Sequence, residues 1–239
     1  MRGLHIAVSG IVAGATLGLG ALIAEADGLA RDRGTIKDAS PAAVDWSGIY
    51  LGLHAGSAWG RSDWSYPVFG PTSPDFDGAV FGGHAGIQKQ FGNWVLGGEL
   101  SFTGNVGNVD GSTACPVGPN TCFVGMDWLF LATARLGYAT DRWLTYVKGG
   151  YALASIETSV VFNPTGVRYE PTETQHQGWA LGGGIEYAVT RNFGLGIEYL
   201  HVDLNEELHI PSGVFVARRF VDPAIDVVQV RLNVKLGTQ

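Results

Sequence analysis

Long apolar segments are missing from most of this chain of 239 residues. Beyond residue 30 there is no uninterrupted run of 18 apolar residues, whereas a membrane-spanning helix needs about 20. The chain is nevertheless apolar, because hydrophobic residues make up 46% of it. This combination argues against a helical membrane protein and suits membrane strands, in which apolar and polar residues alternate.

Charged residues are also scarce, at 15% of the chain, and the formal net charge is −7. An acidic chain lacks the basic surface that nucleic acids require. We therefore expect no nucleic-acid partner.

The sequence has none of the common catalytic or metal-binding motifs. It contains no G-x-S-x-G, no H-E-x-x-H and no Gly-Lys pair of a phosphate-binding loop. The six histidines do not have metal-ligand spacing. We predict that the protein is not an enzyme and that it has no metal and no cofactor.

The N-terminus has the features of a secretory signal. Arg2 precedes an apolar stretch rich in small residues, and an A-x-A site ends at Ala26. We predict a signal peptide over residues 1–26, with an uncleaved membrane anchor as the alternative. A periplasmic linker over 27–45 and an outer-membrane domain over 46–239 would follow.

The chain has two cysteines, Cys115 and Cys122. A pair this close in an exported protein is expected to form a disulfide.

Apolar and polar residues alternate with period two from Trp46 onward, most regularly from Val228 to Leu236. This period is typical of strands that have one apolar and one polar face. The pattern predicts eight strands, over residues 46–59, 79–91, 94–105, 126–140, 143–157, 176–189, 193–205 and 225–236.

Short and long connections alternate between these strands. Residues 92–93, 141–142 and 191–192 have the composition of two-residue hairpin turns. The other four connections are long and polar, at residues 60–78, 106–125, 158–175 and 206–224. This alternation predicts an all-β, eight-stranded antiparallel up-and-down transmembrane β-barrel with short periplasmic turns and long extracellular loops.

Aromatic residues on the apolar faces collect near both ends of the predicted strands. Aromatic rings favour the headgroup level of a bilayer, so these positions predict two girdles against outer-membrane lipid. The alternative is the ordinary strand propensity of aromatic residues. The girdle residues are Trp94, Tyr138, Trp143, Tyr187 and Phe193 near the turns, and Trp59, Trp128 and Trp179 toward the long loops.

Four motifs in order carry a family resemblance. They are Trp46–Gly52, which fits W-[ST]-G-x-Y-x-G, Phe91–Glu99, Ala134–Tyr138 and Val230–Leu236. Together they resemble the porin-like outer-membrane surface-antigen family of alphaproteobacteria, also described as outer-membrane immunogenic proteins. The resemblance implies an eight-stranded barrel in the bacterial outer membrane with envelope or antigenic roles. It also implies that a porin or a hemin-binding function is to be considered.

The predicted inward faces carry charges of both signs. A barrel of eight strands has a lumen just wide enough for side chains, and buried charges must be paired or hydrated. We therefore expect a polar network that neutralises itself, with a narrow ion or water path as the alternative. Its members are Glu99, Arg135, Lys148, Glu186, Glu198 and Arg231.

The long loops carry aromatic and arginine residues, which are enriched in binding hot spots. They could contact host or envelope proteins or hemin, or pack on themselves. His201, with Glu206 and Glu207 nearby in sequence, is the weak enzymatic alternative, because no serine is placed beside it. The loop residues are Trp64, Tyr66, Phe69, Phe76, His209, Phe215, Arg218, Arg219 and Phe220.

The sequence thus predicts a non-enzymatic outer-membrane barrel with a structural or surface-interaction role. A small passive channel is the second interpretation, and a soluble lipocalin-like barrel with an apolar interior is the third.

Overall fold

The computed structural model describes residues 44–66, 70–116, 118–210 and 218–236. The predicted signal peptide and all but the last two residues of the predicted linker lie outside the described residues. Within these ranges, no helix has the length and apolar character needed to cross a membrane.

Eight long antiparallel strands and two short ones form a single sheet that closes on itself. The closure pairs β1 with β10, so the predicted eight-stranded antiparallel barrel is confirmed. The short β2 extends the sheet on β1, and the short β9 extends it on β10. The strands are β1 (Gly48–Tyr66), β2 (Gly70–Thr72), β3 (Asp75–Phe91), β4 (Trp94–Ala114), β5 (Asn120–Thr140), β6 (Trp143–Phe162), β7 (Val167–Ala188), β8 (Phe193–Leu204), β9 (Glu207–His209) and β10 (Arg219–Leu236).

The closing seam runs from the Ile49–Leu236 pair to the Ser65–Phe220 pair. Pairing over this length satisfies the backbone hydrogen bonds of the first and last strands, which an open sheet would leave exposed. The barrel is therefore complete over the whole apolar part of its outer surface.

Tight turns lie at one end of the barrel, called here the turn end. Gly92 and Asp141 adopt left-handed φ values of 61° and 51° in the two shortest turns, a conformation that two-residue hairpin turns use. The third connection is longer than the predicted two residues, since it occupies 189–192. The Thr190 hydroxyl accepts hydrogen bonds from the two amides that lead into β8, and this stabilises the wider turn.

The opposite end, called here the loop end, corrects the predicted long loops. β4 and β5 are joined by residues 115–119 only, and β6 and β7 by residues 163–166 only. Most of the predicted loops 106–125 and 158–175 is therefore strand. Register shifts between Gly104 and Val109, between Met126 and Trp128, and between Thr158 and Val160 interrupt the period-two pattern where the strands continue.

Candidate functional site: the lumen and the outer wall

A network of buried charges fills the turn-side half of the lumen. Lys148 Nζ lies 2.8 Å from Glu99 Oε1 and 2.8 Å from Glu198 Oε1. Arg231 donates to the same two carboxylates from its two terminal nitrogens. These side chains come from β4, β6, β8 and β10, so the network spans the barrel from one side to the other.

A second ion pair joins the network through two tyrosines. Arg135 Nη2 donates to Glu186 Oε2 at 2.9 Å, and the Arg135 guanidinium carbon lies 3.6 Å from the centre of the Tyr146 ring. The Tyr146 hydroxyl donates to Glu198 Oε2 at 2.7 Å. The Tyr50 hydroxyl accepts a hydrogen bond from Arg135 at 3.4 Å and donates one to Glu99 Oε2 at 2.8 Å.

The formal charges of the network cancel, because it contains three carboxylates and three cations, each at most 5% exposed. Buried ions are tolerated only when they are paired and hydrogen-bonded. The structure thus brings all six predicted lumen residues into one connected set. The set is Glu99, Arg135, Lys148, Glu186, Glu198 and Arg231.

Glycines make room for these large side chains. A Cβ atom at Gly184 would lie 2.7 Å from the Tyr146 hydroxyl oxygen, and one at Gly194 would lie 2.5 Å from a Glu186 carboxylate oxygen. Such distances are below ordinary van der Waals contact. Gly184 on β7 and Gly194 on β8 therefore leave room for side chains of the network.

A pair of histidines lies on the loop side of the network. His54 Nδ1 is 3.1 Å from His84 Nδ1, and the rings stack with centroids 5.4 Å apart. His54 Nε2 is 2.9 Å from the Thr103 hydroxyl, and His84 Nε2 contacts Asn233 Oδ1. On its loop side the buried side chains become apolar over one layer.

An apolar layer follows on the loop side of the histidine pair, and the sequence pattern did not predict it. Ala58 follows His54 by four residues, so both side chains lie on the inward face of β1. An apolar residue at this inward position was the signal in the sequence that the lumen becomes apolar here. Each residue of this apolar layer is at most 3% exposed. It includes Ala58, Val80, Met126, Leu129, Leu131, Ala154, Ile156, Leu200, Val202, Ile225 and Val227.

Trp46 partly covers the lumen at the turn end. Its backbone is held by two glutamine side chains of β3: Gln88 donates to the Trp46 carbonyl and Gln90 accepts from the Trp46 amide. Its side chain is 5% exposed and packs in a cluster with Leu144 and Tyr146 of β6. Trp46, which precedes β1, thus covers part of the lumen at this end, and a cleft lined by Tyr50, Arg135 and Glu186 remains beside it.

The predicted girdle residues occupy two levels on the outer surface. At the turn end, the Trp94 and Tyr138 rings are 5.2 Å apart and the Trp143 and Tyr187 rings 4.7 Å apart. Phe193 lies at the same end, where β8 begins. Trp59, Trp128 and Trp179 lie at the other level, and the exposed surface between the two levels is apolar.

Beyond the level of Trp59, Trp128 and Trp179 the strands continue toward the loop end, and we call this part of the barrel the wall. Several aromatic and basic residues that were predicted to lie in exposed loops point into the barrel here. Because β1, β3 and β10 continue beyond the girdle, the period-two pattern turns these side chains inward. They are Trp64, Tyr66, Phe76, His209 and Arg219. Arg218 and Phe220 are exposed, and Phe69 and Phe215 lie outside the described residues.

The buried residues of the wall form a polar cluster beyond the girdle level. His176 Nε2 lies 2.8 Å from His209 Nε2, and His209 Nδ1 lies 3.0 Å from the Thr158 hydroxyl. Arg219 donates to the same hydroxyl and lies 5.0 Å from the Trp64 ring centre. The cluster joins β6, β7, β9 and β10 from the inside.

Acidification is expected to loosen this cluster. Burial lowers the pKa of His209 to about 3, with further lowering by His176 and Arg219, and burial also lowers the pKa of His176. Unfolded imidazoles take up protons near pH ~6.5, whereas the buried rings do not. The stability due to the neutral pair is therefore full above about pH 6.5 and decreases as the pH falls toward the folded values.

Hydrogen exchange of the backbone at 205–210, corrected for intrinsic rates, measures this effect. Exchange at about pH 5 should exceed that at about pH 7.5, and a His209→Gln variant should show a smaller difference. An identical pH dependence in the variant would assign the effect to other groups.

His201 lies on the outer surface beside an aspartate. Its Nδ1 is 2.9 Å from Asp226 Oδ1, which also accepts a hydrogen bond from the Tyr199 hydroxyl at 2.6 Å. The enzymatic alternative places Glu206 and Glu207 near His201 in sequence, whereas the structure pairs His201 with Asp226. Trp179 packs against the imidazole at 5.8 Å, so His201 belongs to the girdle level.

The predicted disulfide is confirmed. Cys115 and Cys122 are bonded with a Cα–Cα distance of 5.2 Å, at the tip of the β4–β5 hairpin. The Tyr66 hydroxyl lies 3.5 Å from Cys122 Sγ, so the tip is tied to β1 as well as to itself.

Comparisons with known proteins agree with this architecture. Residues 36–233 match the profile of the outer membrane protein beta-barrel domain. The chain is 30% identical to the 31 kDa outer-membrane immunogenic proteins of Brucella melitensis and Brucella suis over 206 residues, which is 80% of this chain and 83% of each relative. Its fold is similar to that of the outer membrane protein OprG from Pseudomonas aeruginosa, with a TM-score of 0.54, 11% identity and coverage of 80% of this chain and 97% of that one.

Proposed function

Since this chain belongs to the outer membrane protein beta-barrel domain family and resides in the outer membrane, we propose that it is a closed, non-enzymatic barrel that presents a rigid extracellular wall for surface interactions. The short turns face the periplasm, and the strands of the loop end rise above the outer girdle. The wall is the part of the molecule that a partner outside the cell can reach.

The filled lumen is the observation that carries this proposal. An ion moving from the periplasmic side would meet Trp46, then a network whose charges are already paired, and then the apolar layer. Transferring an ion into such a layer without compensating contacts is very costly. These obstacles favour a barrel that does not conduct.

The surroundings of His201 support a non-enzymatic role. The same Asp226 oxygen is hydrogen-bonded to both His201 and the Tyr199 hydroxyl. The contact of Trp179 with the imidazole fits a position at the membrane interface. The Brucella relatives are named for immunogenicity, which is a property of an exposed surface. Binding of hemin through His209 is not favoured, because that side chain is fully buried.

Planar-bilayer recording tests the proposal. The refolded protein should give no discrete conductance steps, while heat-modifiable gel mobility shows that the barrel in the same protein preparation is folded. Reproducible steps would support the passive channel instead. In that case, Arg135→Ala would test the network as the gate, since a gate residue must change the conductance.

A further inference from the structure

The outward surface of the barrel carries a group of acidic residues that begins at the outer girdle, where Asp203 lies opposite Trp179, and continues toward the loop end. We call it the acidic face and define it as Asp63, Asp203, Glu206 and Asp222. Asp63 lies directly opposite Asp222 on the paired strands β1 and β10. Asp203 lies opposite Ala224, which is two residues along β10 from Asp222. The face therefore concentrates negative charge on three neighbouring segments.

This arrangement has an energetic cost. Like charges directly opposite one another on neighbouring strands are destabilising. Burial, and then the charges of Asp203, Glu206 and Asp63, raise the pKa of Asp222. The nearby Arg61 bonds Asp75 at 2.8 Å, and in the described part of the chain the four acids form no ion pair. A cationic partner would remove the repulsion that the fold itself leaves in place.

An exposed apolar pair adjoins the acidic face. Leu208 of β9 and Phe220 of β10 are direct cross-strand partners, 37% and 38% exposed. Phe220 is two residues from Asp222 on the same strand face, and Ile210, 55% exposed, follows β9. Along the chain, Arg218 lies two residues before Phe220, and Asp222 lies two residues after it. An apolar centre beside a charged margin is the common anatomy of a protein interface.

The inner side of this surface is held by buried hydrogen bonds. His209 and Arg219, which flank the apolar pair on β9 and β10, point inward and meet at the Thr158 hydroxyl. The surface is therefore preorganised, which lowers the entropy cost of binding.

We propose that the acidic face and the Leu208–Phe220 pair together bind a cationic peptide segment, in which an apolar residue lies among lysines or arginines. Charge complementarity selects this partner: the acids attract the basic side chains, and the apolar pair receives the apolar residue. Within the described residues, no group of acids and histidines is arranged to hold a metal ion, which favours a peptide over a divalent cation. The proposal rests on the proposed function, because it requires the wall to be extracellular.

Fluorescence anisotropy with labelled peptides tests the proposal. The full chain is refolded into phosphatidylcholine nanodiscs, whose lipid has no net charge. The probes are Lys-Lys-Leu-Phe-Lys-Lys, hexalysine and Glu-Glu-Leu-Phe-Glu-Glu. We expect the first to bind most tightly, hexalysine more weakly and the glutamate peptide not at all. Binding should weaken as salt is raised. Equal binding of the glutamate peptide would overturn the proposal.

Matched variants separate this surface from general electrostatics. Asp203→Asn with Asp222→Asn should weaken binding by about tenfold, whereas Asp110→Asn, an exposed acid on β4, should leave it unchanged. Leu208→Ser should weaken binding, and Val106→Ser, at an exposed valine on β4, should not. Equal effects of a variant and its control would overturn the proposal.

A stability measurement gives an independent readout. Asp222→Asn removes a like-charge contact, so it should raise the thermal midpoint of the empty protein while it weakens peptide binding. A folding defect would lower both the thermal midpoint and peptide binding, and that result would overturn the assignment.

Competition by salts distinguishes a peptide site from a metal site. If magnesium chloride competes no better than sodium chloride of equal ionic strength, a peptide site is supported; selective competition by magnesium would indicate a metal site instead. Planar-bilayer conductance of the same refolded protein reports on the proposed function separately.

Discussion

Replacing Arg231 with alanine is expected to destabilise the barrel by about 3–5 kcal/mol, the usual cost of breaking a buried ion pair from one side. Arg231 bridges Glu99 and Glu198. Without it, Lys148 would be the one cation still bonded to these two buried carboxylates. The expected result is a large drop in refolding yield and a lower urea midpoint, both followed by heat-modifiable gel mobility.

Arg61→Ala is the matched control, because Arg61 also forms an ion pair with a carboxylate but is exposed. Exposed pairs contribute little, since water screens them, so this variant should refold like the parent. Arg231→Lys should be intermediate, because a lysine cannot reproduce the two-pronged geometry of a guanidinium. If Arg231→Ala were as stable as Arg61→Ala, the network would not hold the barrel together.

Leu100→Arg is expected to destabilise the barrel in a bilayer by about 2–4 kcal/mol, since it places a charge on the lipid-facing surface between the girdles. Leu100 is 55% exposed, and on the same strand Phe102 marks the approach to the outer girdle through its stacking on Trp128. The measurement is urea unfolding in vesicles, followed by tryptophan fluorescence.

Val106→Arg is the control on the same strand. Val106 is 57% exposed, close to the value of Leu100, but lies beyond Phe102 on β4, toward the loop end. It should tolerate the charge, because water and not lipid surrounds it. Equal tolerance at both positions would mean that the surface at Leu100 does not face lipid.

The parts of the fold that the sequence predicts are those where regular alternation continues without interruption. From Val228 to Leu236 each residue alternates between lipid and lumen, so inward Arg231 was readable from parity alone. Charge balance then restricted the lumen to a network that neutralises itself. Which carboxylate meets which cation depends on strand stagger, and stagger is set by distant pairs such as Gly97 with Arg135.

The continuation of the strands beyond the outer girdle escaped prediction for a local reason. The bulge between Met126 and Trp128 shifts the register of β5, so Met126 faces inward although it follows a different parity from Leu129. Polar side chains on the outward surface made the continuing strands resemble loops. Trp64 and Phe76 were therefore interpreted as exposed loop residues, whereas they fill the interior.

The seam between β1 and β10 also determines the order in which the barrel can form. Hairpins such as the one at Gly92 bring together residues that are close in sequence, whereas the seam joins Ile49 to Leu236. Loop-closure entropy makes such distant pairing slow, so the seam is the last ladder to form. Arg231 lies on β10 and Glu99 on β4, on opposite sides of that seam. The ion pair between Arg231 and Glu99 therefore forms only when the barrel closes.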